Sequence, residues 1–157
     1  MIAVVQRVTE ASVVVADDTV GRIGHGLLVL AAVHETDSPA DVQWTAAKLA
    51  SLRIFRNGDK HFDLDVRQAQ GSILLVSNFT VAAATRQGRR PSFDAAASPE
   101  KGRTLFDALV VAVRGQGVPV ETGQFGADMK VSLVNDGPVT VIVDSTEGKK
   151  ARMEDRG

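Results

Sequence analysis

Apolar and polar residues alternate along most of this chain, a period-two pattern that predicts strands. Residues 2–8, 12–15 and 19–23 are rich in β-branched types, and residues 27–33 form a continuous apolar run. β-Branched residues fit the pleated surface of a sheet, so these segments predict an antiparallel meander in the N-terminal part of the chain. The continuous run is typical of a strand that is buried on both faces or lies at a subunit contact.

Helical spacing occurs in two segments, and both begin with a Ser-Pro dipeptide. Ser38 and Ser98 suit the N-cap position, and Pro39 and Pro99 suit the first helical position. Apolar residues then recur at helical spacing, up to Gly115 in the second segment. The pattern predicts two helices.

Further strands are predicted after the first helix and towards the C-terminus. They cover residues 73–76, 118–121, 129–134 and 139–143. The stretch 135–140 separates the last two and contains the only Gly-Pro dipeptide of the chain. Glycine followed by proline gives a stiff turn, so spacing alone predicts a hairpin corner there.

The remaining segments predict loops and a tail. Residues 59–70 are polar, and residues 82–97 have no regular pattern. Beyond Ser145 the chain is mostly charged and has no hydrophobic period, which favours mobility. The sequence therefore predicts a single domain over residues 1–145, of α+β class with a mostly antiparallel sheet and two helices. A charged, mobile tail is expected at residues 146–157.

Composition narrows the function classes. The chain has 157 residues, a length typical of one domain, and a net charge of −1, which argues against bulk electrostatic affinity for nucleic acid. It contains no cysteine, so disulfides, thiolate nucleophiles and cysteine-based metal sites are excluded. No apolar run approaches the ~20 residues of a membrane span, and the chain begins with a strand pattern instead of a signal peptide. We therefore expect a cytoplasmic protein without a membrane partner.

No cofactor and no metal site is predicted. His25, His34 and His61 lie in separate segments, and none has a second ligand at metal-site spacing. The chain also lacks the Gly-rich loops that bind nucleotide phosphates and the Gly-x-Ser-x-Gly elbow of many hydrolases.

Candidate chemistry lies at the end of a buried strand, where the chain reads Ser77, Asn78, Phe79, Thr80. Thr80 is a candidate nucleophile, but a hydroxyl needs an adjacent general base, and the local sequence offers no His, Asp, Glu or Lys. The backbone N–H groups of residues 78–80 could instead form an oxyanion site, which needs no titratable group. The alternative is an ordinary strand end with hydroxyl residues in a turn.

Two further features involve arginine. Arg86, Arg89 and Arg90 form the only dense positive cluster before the tail and are candidates for RNA phosphate contacts; the alternative is a solvated loop. Arg7 stands in an otherwise apolar strand and must reach solvent or find acceptors, because an unpaired buried charge is costly. Exposed carbonyls in a turn such as Gly137-Pro138 would suit it.

Several motifs, in order and at matching separations, resemble those of the D-aminoacyl-tRNA deacylases, also called D-tyrosyl-tRNA deacylases. The resemblance extends from Met1 to about Ser145. The motifs are Val5-Gln6-Arg7-Val8 with Ala11-Ser12-Val13, Ser77-Asn78-Phe79-Thr80-Val81, Arg90-Pro91-Ser92-Phe93, Phe125-Gly126-Ala127-Asp128-Met129 and Asn135-Asp136-Gly137-Pro138-Val139-Thr140. The last of these fits the family's Asn-x-Gly-Pro-Val-Thr motif at every position.

The resemblance implies a fold and a function. The family has an α+β fold with a barrel-like core, uses no cofactor, and acts as a homodimer on the acceptor end of aminoacyl-tRNA. It hydrolyses the ester that joins a D-amino acid to the terminal ribose of tRNA, and it also removes glycine from mischarged tRNA. Its chemistry depends more on the ribose hydroxyl of the tRNA than on a side chain.

The family's site roles carry over onto the matching positions. Gly137 and Pro138, joined by a cis peptide bond, would form a filter that projects from one subunit into the active site of the other and excludes L-amino acids. Arg7 would brace this filter. Residues 77–80 would frame the pocket for the aminoacyl-adenosine, with backbone amides at the ester carbonyl.

Two positions depart from the family motif, which has glutamine where this chain has Asn78 and leucine where it has Val81. Asn78 is one methylene shorter than glutamine, so a contact through its backbone N–H is expected to be retained and a side-chain contact is not. Two other functions stay open. One is a hydrolase with Thr80 as a covalent nucleophile, and the other is a non-catalytic RNA-binding domain.

Overall fold

The computed structural model describes residues 1–157, which fold into eight strands, three α-helices and one 3-10 turn. In chain order the elements are β1 (Ile2–Val15), β2 (Asp18–Ile23), β3 (Gly26–Ala32), α1 (Pro39–Ser51), β4 (Phe55–Asn57), β5 (Lys60–Leu64), β6 (Ser72–Ser77), η1 (Phe79–Ala82), α2 (Pro99–Gly115), β7 (Val120–Thr122), β8 (Lys130–Asp144) and α3 (Ser145–Glu154). None of the helices combines the length and the apolar character of a membrane span.

Strand β1 is the centre of the main sheet, since it pairs with three other strands. One of its edges pairs antiparallel with β8 over most of its length, from Ile2 to Val14. The other edge is divided: residues 2–8 pair with β3 and residues 11–15 pair with β2, both antiparallel. Because one long strand serves both neighbours, the strand order is β2-β1-β3 and the predicted meander is wrong.

The main sheet is mixed. Strand β6 pairs parallel with β3, and β7 pairs parallel with β6. Helix α1 lies between β3 and β6 along the chain, and α2 lies between β6 and β7, which are the long crossovers that parallel strands require. The predicted α+β class is confirmed. The parallel pairings were not predicted, because they join segments that are distant in the sequence.

The sheet curls into a nearly closed barrel, because the strands at the two ends of its order, β2 and β7, come together. A Cβ atom added at Gly21 of β2 would lie 2.2 Å from the carbonyl oxygen of Thr122 in β7, so this contact requires glycine. The barrel interior is filled by apolar side chains. These are Val8, Ala11, Val13, Ile23, Leu28, Leu74 and Val76.

The larger core lies on the other face of the sheet, under helices α1 and α2. Its 25 buried residues come mainly from β1, β3, β6 and the apolar stripes of both helices. Both helices begin as predicted, at Pro39 and Pro99. The side chain of Ser98 accepts a hydrogen bond from the Lys101 N–H at 3.3 Å, which satisfies one free donor of the first helical turn.

A separate two-stranded hairpin, β4–β5, occupies part of the segment that the sequence predicted as a polar loop. Gly58 makes its turn with a φ of 57°, a left-handed conformation that glycine adopts readily. Phe55 is 2% exposed and belongs to the larger core. The hairpin is therefore anchored at its first residue.

The charged segment beyond Ser145, for which the sequence predicted no regular structure, forms helix α3 and packs against α1. The Nζ atom of Lys149 lies 3.0 Å from Oδ1 of Asp41. Gly148 lies directly against the indole ring of Trp44. Ser145 at the start of α3 is buried, and its hydroxyl accepts a hydrogen bond from the Met1 amino group at 2.7 Å. Helix α3 needs no apolar stripe, because this serine, one glycine and one lysine make its contact with the domain.

Asp41 is the acidic partner in this contact, and it is only 1% exposed. Burial alone would raise the pKa of Asp41. Hydrogen bonds from Ser145, Ser38 and Lys149 outweigh burial and hold its pKa well below the usual range. The carboxylate therefore stays ionised and joins the start of α1 to α3.

We predict that Gly148→Ala displaces α3 from α1. A Cβ atom at this position would lie 2.2 Å from Nε1 of Trp44, and overpacking of this kind costs about 1–3 kcal/mol. Thermal unfolding should show a lower Tm, and trypsin should cleave faster after Lys149 and Lys150. The matched control is Gly115→Ala at the end of α2, where a Cβ atom meets open space and stability should stay equal or rise. Equal Tm and equal cleavage in the two variants would contradict this contact.

Candidate active site

A cleft of about 870 Å³ opens where β6 ends and the chain turns into η1. Its walls come from the ends of β3 and β6, the start of α2, and residues 125–131. Most of its lining is apolar, and the polar groups are concentrated at residues 77–80. The structure thus brings the predicted Ser-Asn-Phe-Thr segment to the edge of a cavity of the size that binds small ligands.

The backbone of this segment supplies two free donors. The N–H of Asn78 donates to the carbonyl oxygen of Ala31 at 2.9 Å, so it is not available to a ligand. Phe79 and Thr80 begin the 3-10 turn, where N–H groups have no partner within the turn. The predicted oxyanion site at residues 78–80 is therefore wrong for residue 78, because a neighbouring strand uses that donor.

The Thr80 hydroxyl donates a short hydrogen bond to Oδ1 of Asn78. An amide oxygen cannot take up the hydroxyl proton in the way that a general base does. The contact therefore gives Thr80 no activation as a nucleophile. The same hydrogen bond holds the Asn78 side chain, which is one methylene shorter than glutamine, against Thr80.

Two aromatic rings stand at the mouth of the cleft. Phe79 is 59% exposed and Phe93 is 37% exposed, and their ring centroids are 5.2 Å apart with an angle of 70° between the planes. Exposed aromatic rings of this kind offer flat faces to a ligand. Phe93 belongs to one of the motifs noted above, but no role was predicted for it, because it lies in a segment without periodicity.

The predicted basic cluster lies beside this mouth. The loop that carries Arg86, Arg89 and Arg90 is closed by two hydrogen bonds between the backbones of Ala84 and Ser92, each 2.8 Å long. All three arginines are exposed. Because Ser92 is followed directly by Phe93, the loop is anchored next to the aromatic pair. We call residues 84–92 the arginine loop.

Residues 136–139 form a bulge within one continuous strand, so the hairpin predicted at 135–140 is wrong. Asn135 pairs with Val8 and Thr140 pairs with Gln6, both on β1. Four residues of β8 therefore lie opposite a single residue of β1, which is Arg7. The excess length leaves the plane of the sheet, as the extra residues of a bulge do.

Side chains on both strands hold this bulge. The Nδ2 atom of Asn135 donates to the carbonyl oxygens of Arg7 and Val139 at 3.0 and 2.9 Å, which closes its base. Arg7 is 2% exposed and donates from Nε to the Asp136 carbonyl at 3.2 Å and from Nη1 to the Ile54 carbonyl at 2.8 Å. Arg7 therefore has acceptors, and the one in the bulge is the Asp136 carbonyl instead of a carbonyl of Gly137 or Pro138.

Gly137 and Pro138 form the tip of the bulge, and both are exposed. Their peptide bond is cis, and the φ of Gly137 is 128°. A Cβ atom at Gly137 would lie 2.8 Å from Cγ2 of Val139, so glycine is required at the tip. Neither residue lines the cleft. The predicted site combined residues 77–80 with the Gly137-Pro138 pair. The structure places only residues 77–80 in the cleft of this chain.

An apolar strip runs across the sheet from the cleft towards the bulge. Leu30 lines the cleft, Val4 lies opposite Leu30, and Ile142 lies opposite Val4 on the other side. Ile142 is 66% exposed. We call these residues, together with Ile2, the outer apolar strip. An exposed apolar surface that continues into a cavity is typical of an interaction site.

No group of three or more His, Asp or Glu side chains comes together in a way that could hold a metal ion.

Comparisons with known proteins agree with this geometry. The family model described as D-Tyr-tRNA(Tyr) deacylase matches residues 4–144. The chain is 53% identical to a D-aminoacyl-tRNA deacylase of Chloroflexus aurantiacus. The alignment spans 147 residues, which are 94% of this chain and 92% of that protein. It is also 53% identical to a D-aminoacyl-tRNA deacylase of Geobacter sulfurreducens, in an alignment of 145 residues that covers 92% of this chain and 95% of that protein.

A solved structure has the same fold. The protein named c-Myc DNA Unwinding Element Binding Protein superposes with a TM-score of 0.87 at 34% identity, over 92% of this chain and 98% of that chain. The residues matched by the family model include the cleft, the arginine loop and the bulge. These matches confirm the resemblance found in the motifs, and the chain belongs to the D-Tyr-tRNA(Tyr) deacylase family.

Proposed function

We propose that this protein hydrolyses the ester that joins a D-amino acid to the terminal ribose of tRNA, and that it also removes glycine mischarged onto tRNA. The observation that carries the proposal is the pairing of a mostly apolar cleft that has two free backbone donors with an exposed Gly137-Pro138 tip, in a chain of this family. Such an activity removes wrongly charged tRNA before translation, and we infer that it takes place in the cytoplasm.

The chemistry needs little from side chains. Water supplies the oxygen of the new carboxyl group, the bond between the acyl carbon and the ribose oxygen breaks, and the ribose oxygen takes up a proton. The N–H groups of Phe79 and Thr80 are suited to stabilise the negative charge that develops on the ester carbonyl. The hydroxyl of the ribose assists the proton transfer, as the resemblance implies, since Thr80 is bonded to an amide and not to a base.

Substrate binding in the cleft follows from its lining. We infer that the apolar walls and the Phe79–Phe93 pair hold the aminoacyl-adenosine, with Ser77 and Asn78 at its polar edge. The exposed arginine loop lies beside this mouth and is suited to contact phosphates of the tRNA acceptor end through Arg86, Arg89 and Arg90. A local cluster of this kind offsets the net charge of −1, which by itself attracts no nucleic acid.

A homodimer with shared active sites is part of the proposal. Gly137 and Pro138 are exposed and do not line the cleft of their own chain, so the proposed filter requires that they enter the cleft of a second copy. The outer apolar strip reaches the cleft at Leu30 and ends at Ile142 near the bulge. A second copy that covers this strip removes apolar surface from water and brings its tip towards the cleft.

In this arrangement the tip acts as a chiral filter. A backbone wall close to the α-carbon of the bound amino acid blocks the direction in which an L side chain projects. A D side chain points away from the wall and meets no comparable restriction. Steric exclusion thus rejects the wrong substrate without selecting one right side chain, so many D-amino acids can be accepted.

The activity itself is tested by incubating the protein with D-aminoacyl-tRNA and following release of the free amino acid. We predict rapid release by the wild type and by Thr80→Ala, with kcat/KM reduced less than about tenfold in the variant, because the backbone donors remain. Loss of activity by several orders of magnitude in a folded Thr80→Ala variant would instead support covalent catalysis. Protection of the ester by the wild type would favour a non-catalytic nucleic-acid-binding domain, a role consistent with the name of the solved neighbour.

The filter is tested by Pro138→Ala. Removing the ring lowers the wall, so hydrolysis of the matching L-aminoacyl-tRNA should rise about tenfold, a change of ~1.4 kcal/mol in discrimination. The control is Pro119→Ala, an exposed proline before β7 that has no contact with the bulge. Both variants should keep the oligomeric state of the wild type. If Pro138→Ala discriminates between D- and L-esters as sharply as the wild type does, the filter assignment is wrong.

The dimer is tested by Ile142→Glu. A carboxylate in the covered strip would lose its hydration, so the variant should sediment as a monomer and lose most of its deacylase activity. The control Val111→Glu changes a side chain that is 70% exposed on α2 and should remain dimeric and active. A monomeric Ile142→Glu variant with full activity and full discrimination would show that each subunit works alone.

A further inference from the structure

The bulge carries a carboxylate that lies between two guanidinium groups. Oδ2 of Asp136 is 3.3 Å from Nε of Arg7 and 3.1 Å from Nη1 of Arg56. Both arginines thus approach the same oxygen atom, one from β1 and the other from β4. Asp136 directly precedes Gly137, so this ion-pair network holds the backbone next to the tip.

The two arginines have different roles in this network. The side chain of Arg7 is 3% exposed and has a second acceptor in the Ile54 carbonyl at 2.8 Å, so its charge is buried and needs compensation. The side chain of Arg56 is 48% exposed, and its hydrogen bond and ion pair are both with Asp136. Water can compensate the charge of Arg56 without Asp136. The ion pair between Arg56 and Asp136 instead orients the Asp136 side chain towards the β4–β5 hairpin.

The hairpin provides a firm base for this contact. Phe55, between Ile54 and Arg56 in the chain, is 2% exposed and packed in the larger core. The Ile54 carbonyl and the Arg56 guanidinium therefore stand on either side of a buried anchor. Through them, the segment 54–56 is joined both to Arg7 and to the bulge. The remaining bonds of the bulge lie at its base, where the Asn135 side chain bonds the carbonyls of Arg7 and Val139.

We propose that Arg56 is a positioning residue that sets the direction in which the Gly137-Pro138 tip projects, and that it thereby tunes the discrimination between D- and L-aminoacyl esters. This inference rests on the proposed role of the tip as a filter. Arg56 touches no substrate in this scheme; it acts through Asp136. Because a half-exposed ion pair is weakened by salt, the discrimination has an ionic-strength dependence that originates at Arg56.

The test compares kcat/KM for D- and L-phenylalanine esterified to the same tRNA, measured with Arg56→Gln, Arg56→Lys and the wild type. At about 0.05 M salt, Arg56→Gln should lower the ratio of D- to L-hydrolysis roughly three- to fivefold, the effect expected of a single exposed pair. The loss should come from faster L-hydrolysis, and Arg56→Lys should restore most of the ratio. Since both substrates share one tRNA, salt effects on tRNA binding cancel in the ratio.

The matched control is Arg53→Gln. The Arg53 side chain is 66% exposed and pairs with Asp63 at 2.6 Å, within the hairpin region and away from the bulge. It should discriminate as the wild type does at every salt concentration. The wild-type ratio should fall towards that of Arg56→Gln at about 0.5 M salt, where the pair is screened.

The outcomes separate this inference from the proposed function. If the wild type fails to hydrolyse the D-ester, or hydrolyses both esters equally, the proposed function fails. If the wild type discriminates and Arg56→Gln keeps the same ratio at low salt, only the role of Arg56 is overturned. Equal ratios for Arg56→Gln and Arg53→Gln would have the same meaning. A merely structural role would lower the Tm and both rates together and leave the ratio unchanged, which also overturns the proposal.

Discussion

The buried positive charge of Arg7 is the constraint on which the arrangement of the bulge depends. Its side chain extends from the central strand into surroundings where water cannot solvate it, and it is only 3% exposed. A guanidinium in that position needs oxygen acceptors on its N–H groups. The Ile54 carbonyl provides one, and the carbonyl and carboxylate of Asp136 provide the others. The core therefore determines where the residue before Gly137 lies.

The cleft is built on a different principle, because its free donors come from backbone geometry. The three carboxyl groups with a lowered pKa, Asp41, Asp63 and Asp144, hold structural contacts, and none of them lines the cleft. At Asp144, burial would raise the pKa, and hydrogen bonds from the Thr146 N–H and hydroxyl reverse that effect. Asp128 is the one carboxyl side chain in the lining of the cleft, so the carboxyl groups whose pKa is lowered hold the fold and not the cleft. This agrees with the proposed reaction, in which the free N–H groups of Phe79 and Thr80 and the hydroxyl of the substrate act in place of a titratable side chain.

Structural features that depend on neighbouring residues were predicted correctly from the sequence. Features that depend on pairing between distant segments were not. The Ser-Pro dipeptides predicted both helix starts, since a cap and a fixed φ act within one turn. The bulge was predicted as a hairpin, because only the pairing of both its flanks with β1 distinguishes the two. The bond from the Asn78 N–H to Ala31 is likewise invisible along the chain. Helix α3 has no hydrophobic period and is fixed by Ser145, Gly148 and Lys149.

The bulge also has a consequence for how the protein can change over evolutionary time. Both of its ends are set by pairs with β1, at Asn135 and at Thr140, and the Asn135 side chain closes the loop beneath them. Pro138 can be exchanged at the tip while the strand on either side keeps its partners, whereas Gly137 and Asp136 are held by their contacts. The shape of the exposed tip is thus partly independent of the pairing that stabilises the sheet. A protein built on this plan can change the surface that the tip presents without rebuilding its fold.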